Sequence, residues 1–286
     1  MRLNDERESS NIEDQRGSGG GGGRPLKIGG IGGVLLILGA LYFGVDPQVV
    51  FNLLEGGGSS SPQVTAQAPT AQDDAGKQFI GRVLASTEDV WTTYFQAMGR
   101  TYHEPHLVLF SGGVNSACGY AQTSVGPFYC PTDQKVYLDL AFFQELQNRL
   151  GAGGDFARAY VIAHEVGHHV QNELGIMDRV AHLRTQEAEN GAGGLSVRTE
   201  LQADCFAGVW AKRADDAKRI LETGDIEEGI NAAAAVGDDR LQKEMQGRVV
   251  PDSFTHGTSA QRVGWFRRGL ASGDIHQCDT FSAPQL

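Results

Sequence analysis

The chain has 286 residues, 40% of them hydrophobic, and carries 24 Lys+Arg against 35 Asp+Glu for a formal net charge of −11. That is enough apolar material for one or two domains, and the acidity argues against nucleic acid as a partner, because phosphate binding needs concentrated Lys/Arg. Four cysteines without a C-x-x-C spacing argue against a zinc ribbon or a thioredoxin-like redox motif.

Residues 1–27 are polar and end in the glycine run 19–23. They read as a disordered cytoplasmic lead with too little apolar content for a core. The glycine run lacks the G-K-[ST] ending of a phosphate loop. Residues 28–45, IGGIGGVLLILGALYFGV, contain no charge. As a helix they would reach about 27 Å, close to the thickness of a hydrocarbon core. A buried soluble helix and a cleaved signal peptide are the competing readings. The run is apolar all round, and Ala40-Leu41-Tyr42 is a poor small-x-small cleavage site. Arg16, Arg24 and Lys27 precede the run, and Asp46 and Glu55 follow it. The positive-inside rule then predicts a single-pass inner-membrane protein with its C-terminal part outside the cytoplasm. Gly29-x-x-x-Gly33 fits a helix-dimer pattern, which leaves a homo-oligomer open.

Residues 46–76 are rich in Gly, Ser, Pro and Gln and read as a linker, so the globular domain is expected over 77–286. Its pattern is α+β, mostly helical. Ser86 is expected to cap a helix through Met98. Leu107–Phe110 and Lys135–Asp139 read as strands flanking a Gly/Ser/Thr-rich stretch that carries Cys118 and Cys130. Helices follow at 140–150, from Asp155 to about Leu174 before Gly175, at 196–214, as a pair within 217–235, and at 259–270.

The sharp chemical signal lies in the Asp155 helix: His164-Glu165-Val166-Gly167-His168. Residues four apart share a helix face, so both imidazoles can grip one Zn²⁺. Glu165 is rotated away and can serve as general base toward a zinc-activated water. A catalytic zinc needs a third protein ligand and an open fourth position. Gln171 and Leu174 stand where the H-E-x-x-H-x-x-G-x-x-H pattern needs Gly and His. The better third ligand is Glu200, past a Gly-rich break that lets a second helix return. Asp204, one turn on, would orient a ligand imidazole. His256, in the polar loop 251–257, is a candidate oxyanion donor, with Arg262 and Tyr120 as lesser candidates. His169 is rotated about 100° from His168 and reads as structural or exposed. The cysteines suggest Cys118–Cys130 and Cys205–Cys278, although four cysteines allow three connectivities.

Several blocks together carry a resemblance: residues 7–17 (RESSNIEDQRG), the Gly-rich run, His164–His169, Glu200-Leu201-Gln202-Ala203-Asp204-Cys205 and Asp252–Gly257. With them the chain resembles the neutral zinc metallopeptidase family, a bacterial group with a membrane anchor. The pairing of H-E-x-x-H with E-x-x-A-D is also similar to the gluzincin peptidases. The resemblance implies a zincin-like metallopeptidase domain with a small sheet over the active-site helix, preceded by one transmembrane helix. It implies Zn²⁺ as cofactor and a peptide or protein substrate. A membrane-tethered, non-catalytic module with a structural zinc site is the rival, and His256 or Cys205 would be its fourth ligand. Hydrolysis of a non-protein amide such as a cell-wall crosslink shares the mechanism.

Overall fold

The computed structural model describes residues 1–17, 71–184 and 187–286. The apolar run 28–45 lies outside the described residues. Among those residues, no helix is long and apolar enough to cross a membrane.

The domain is α+β and mostly helical. Its frame is a pair of buried helices, α3 (Asp155–Glu173) and α5 (Leu195–Lys218). Almost every residue from Phe156 to Gln171 is buried, so α3 is enclosed on all faces. That explains its lack of a clean amphipathic stripe. The two helices meet at Gly167, where a Cβ would stand 3.0 Å from the Ala203 carbonyl oxygen. The glycine therefore serves helix packing, and the small Ala203 permits the close contact. Helix α8 (Ser259–Ser272) closes on α5 in the same way, with a Cβ on Gly269 colliding with the Cys205 carbonyl. Helix α6 (Asp225–Ala235) packs against α3 and α8, and α7 (Asp238–Gln246) follows it.

A four-stranded sheet flanks α3. Its order is β1 (Ile12–Asp14), β2 (His106–Phe110), β6 (Lys135–Asp139), β5 (Phe128–Cys130). β1 and β6 run parallel to β2, and β5 runs antiparallel to β6. Between β2 and β5, the hairpin β3 (Gly113–Ser116) and β4 (Gly119–Gln122) forms its own two-stranded sheet. Cys118–Cys130 ties this hairpin to β5, and Cys205–Cys278 ties α5 to the C-terminal segment. Both pairings match the sequence reading.

Several expectations are corrected. Helix α1 (Ala71–Ala97) begins inside the predicted linker. Ser86 lies within it rather than capping it. Its Oγ accepts from the Trp210 indole at 3.2 Å, and Thr87 Oγ1 donates back to the Leu84 carbonyl, so neither side chain breaks the helix. The expected pair within 217–235 is the end of α5 followed by α6 alone. Helices α2 (Ala141–Asn148), α4 (Ile176–Leu183) and α7 are the remaining α-helices among the described residues, and the last two were not read from the sequence.

The largest correction concerns the lead. Residues Met1–Arg16 belong to the same compact unit as the domain. Leu3 is 4% exposed and Ile12 packs on the core. The backbone N–H of Leu107 donates to Asn11 and that of Gln15 donates to Leu109, each at 2.8 Å. Glu88 of α1 is 1% exposed, and it is met from this segment by Arg7 at 2.8 Å, by Asn11 at 2.9 Å and by the Ser9 hydroxyl. A segment with few apolar residues is thus held by an open sheet edge and by a buried carboxylate that it neutralises.

Candidate metal centre

Helix α3 presents His164 and His168 on one face, and α5 brings Glu200 to them across the Gly167–Ala203 contact. The Glu200 carboxylate lies 3.1 Å from His164 Nε2 and 3.3 Å from His168 Nε2. One ligand atom from each residue fits within a 4.8 Å span. Tetrahedral zinc with bonds of about 2.0–2.1 Å places its ligands roughly 3.3 Å apart. Two imidazoles and a carboxylate at these separations therefore fit Zn²⁺ in both donor chemistry and spacing.

The far side of each imidazole is also held. His164 Nδ1 lies 2.8 Å from Asp204 Oδ1. Asp204 is fully buried; Arg262 reaches it from α8 with Nε at 2.8 Å and Nη2 at 2.9 Å, and the Tyr160 hydroxyl donates to it. Asp204 thus lies beside the His164 imidazole with Arg262 as its counter-ion, and Arg262 Nη2 is also 3.5 Å from His164 Nε2. His168 Nδ1 lies 2.9 Å from Gln171 Oε1. With an acceptor facing each Nδ1, each Nε2 is turned toward Glu200.

Burial disfavours charge on His164, yet Asp204 and Glu200 outweigh it and push its pKa up to about 10. Burial likewise pulls against the His168 cation, and Glu200 overrides it to raise the pKa. Burial would raise Glu200, but the neighbouring imidazoles hold it well below the carboxylate range. Glu165 differs: burial raises its pKa and the imidazoles only partly offset this. It is 8% exposed, and no hydrogen bond restrains its carboxylate among the described residues.

His256 lies at the exposed rim, where its charge and that of Glu200 influence each other. Its loop is organised by Asp238, whose Oδ2 accepts the backbone N–H groups of Thr255, His256 and Gly257 at 2.7, 2.7 and 3.0 Å. His256 Nδ1 faces Asp238 Oδ1 at 3.3 Å and Thr255 Oγ1 at 2.9 Å. Desolvation pulls its pKa down, and Asp238 overrides this to raise it. Asp238 was missed in the sequence, where it is one acid of a Gly-Asp-Asp turn with no spacing to the motif. Tyr120 is 64% exposed on the β3–β4 hairpin. His169 is fully buried; it takes a hydrogen bond from the Tyr129 hydroxyl and donates to the His103 carbonyl, bracing α3 against the sheet. Cys205 is consumed by its disulfide.

These residues form a candidate metal centre of the two-histidine, one-carboxylate class, with a separate carboxylate beside it. The chain belongs to the family described as "Putative neutral zinc metallopeptidase", whose model matches residues 1–281; zinc is the cofactor of that family. It is 50% identical to "Uncharacterized protein YpfJ" of Escherichia coli K12, over 98% of this chain and 99% of that protein. It is 45% identical to "Uncharacterized protein Mb2605" of Mycobacterium bovis, over 86% of each. No solved structure matches significantly.

Proposed function

We propose that the chain is a zinc-dependent peptidase with His164, His168 and Glu200 as metal ligands and Glu165 as general base. The observation that carries this reading is the convergence of both Nε2 atoms on Glu200, with a buried, untethered Glu165 between the histidines in sequence. Bound there, zinc would polarise a carbonyl oxygen and lower the pKa of a coordinated water to near 7. Glu165 takes a proton at its carboxylate and returns it to the departing amine, and its raised pKa brings it closer to the working pH. His256, aligned by Asp238, can donate from Nε2 to the developing oxyanion.

The non-catalytic rival needs a fourth protein ligand. Cys205 is in a disulfide, and His256 is outside the ligand group. The direct test is zinc content and peptide hydrolysis of the full-length protein. One zinc per chain is expected, with activity that a chelator removes and zinc restores. Stoichiometric zinc without hydrolysis of a diverse peptide library would sink the peptidase reading.

The two disulfides support an oxidising, extracytoplasmic location for the domain. Strand β1 supports a placement of Met1–Arg16 on that same side, in place of the cytoplasmic lead that the flanking charges suggested. A single crossing at 28–45 would separate strands that are hydrogen-bonded neighbours. Single cysteines at Asp5→Cys and Met245→Cys, both exposed positions, test this, because the native cysteines are all paired. A membrane-impermeant maleimide should label both in intact spheroplasts of the producing cell. Labelling of Met245→Cys alone before lysis would refute the shared side; labelling of neither would place the domain inside.

A further inference from the structure

Gln171 entered the sequence reading only as the wrong residue for a longer zinc motif. In the fold it is fully buried, and both of its amide atoms are used. Its Oε1 faces His168 Nδ1 at 2.9 Å. Its Nε2 donates to the Thr199 carbonyl at 2.8 Å and to Gln202 Oε1 at 3.0 Å. Gln202, 4% exposed, in turn donates from Nε2 to the Cys278 carbonyl at 2.9 Å. Cys278 is fixed to Cys205, on the same helix as Gln202.

The chain of bonds has one direction. Cys278 and Thr199 offer only carbonyl oxygens, so both amides must turn their NH₂ groups away from the metal centre. Gln171 then has only an acceptor left for His168. A reversed Gln171 would set its oxygen against the Thr199 carbonyl and its NH₂ against the imidazole N–H, leaving buried groups unpaired at about 1–3 kcal/mol each.

We propose that Gln171 is a positioning residue for the metal centre: it holds His168 as the Nδ1–H tautomer with Nε2 toward Glu200, and Gln202 and the Cys278 carbonyl fix its own orientation. This rests on the zinc-site reading above and adds a residue to it. The two ligand histidines are thereby supported by different chemistry. His164 is backed by a carboxylate that carries its own buried guanidinium, whereas His168 is backed by a neutral amide that needs no counter-ion. The bond to the Thr199 carbonyl, on the helix that carries Glu200, helps fix which way the Gln171 amide faces.

Two substitutions separate positioning from packing. Gln171→Met keeps the length and removes the acceptor. Gln171→Glu keeps an acceptor for His168 but loses the donor to Thr199 and Gln202. Zinc affinity of the full-length protein is read by competition with a chromophoric chelator, alongside the melting temperature. Gln171→Met should bind zinc about 10–100-fold more weakly, whereas Gln171→Glu should stay within about threefold of wild type despite a lower melting temperature. Equal loss in both variants, or loss in neither, would overturn the proposal. Should Gln171→Met not fold, nitrogen-15 spectra of the histidines in the zinc-loaded wild-type protein decide the matter. A neutral His168 carrying its proton on Nε2 would refute it, and one carrying it on Nδ1 would support it. If wild-type protein binds no zinc at all, it is the zinc-site reading that fails, a result distinct from either pattern.

Discussion

Replacing Glu165 with Gln should leave zinc in place and reduce hydrolysis at least ~10²-fold, the usual contribution of a general base. Gln matches Glu in size and removes only the ability to take a proton. The metal ligands are untouched, because Glu165 is not among the converging group. Stability should not suffer either. No hydrogen bond to Glu165 is lost, and burial already disfavours its charged form, so a neutral amide costs little there. The experiment compares metal content, melting temperature and peptide turnover of variant and wild type at equal zinc loading. A zinc-loaded Glu165→Gln protein with unchanged turnover would remove Glu165 from the mechanism and pass the role to another base.

The parts of this protein legible in its sequence are those encoded by local periodicity. His164 and His168 are one turn apart on a helix, and any helix there must bring them together. Strands β2 and β6 are short apolar runs that read as buried strands. The Glu200 assignment needed one further step, a return helix after the Gly-rich break, and α5 supplies it. What could not be read depends on partners distant in the chain. Strand β1 has Ile12 as its only aliphatic residue, and it exists because β2 offers an unpaired edge and Glu88 a buried charge. Helix α7 buries only Asp238 of its nine residues, so no apolar stripe announces it. Asp238 and Arg262 act through bonds spanning 18 and 58 residues, and Gln171, three residues from His168, is oriented by a bond spanning 28; nothing in the local sequence sets such distances. The transmembrane expectation failed to anticipate β1 for the same reason: charge flanking is a local rule, whereas strand pairing is not.

The second large effect separates Glu200 from Asp204, two acids one helical turn apart. Among the described residues, the Glu200 carboxylate has hydrogen-bond or ion-pair partners only in the two imidazoles, and its side chain is 19% exposed. Glu200→Ala should therefore fold normally, since Ala is a good helix former. It should lose zinc on dialysis, because two histidines alone hold the metal poorly. Asp204 is embedded differently. Its carboxylate satisfies Arg262, Tyr160 and His164 at once, all within the core. Asp204→Ala leaves a guanidinium buried without its counter-ion, at a cost of about 3–5 kcal/mol. Helix propensity alone would let α5 tolerate both changes; the buried Arg262 makes Asp204 a stability residue as well. Asp204→Asn keeps the shape and an oxygen for His164 but also removes the charge opposite Arg262, so its zinc affinity is read well below its lowered melting temperature. Its zinc affinity should fall by about 10–100-fold through the weakened imidazole orientation. Zinc content after identical dialysis and melting temperature, measured for all three variants, give the pattern: Glu200→Ala stable and metal-free, Asp204→Ala strongly destabilised, Asp204→Asn folded with weakened zinc. A stable Glu200→Ala protein that retains stoichiometric zinc, beside an Asp204→Asn protein that retains none, would make Asp204 the ligand. It would also require α5 to turn by enough to break the Arg262 pair, which the melting temperatures would register independently.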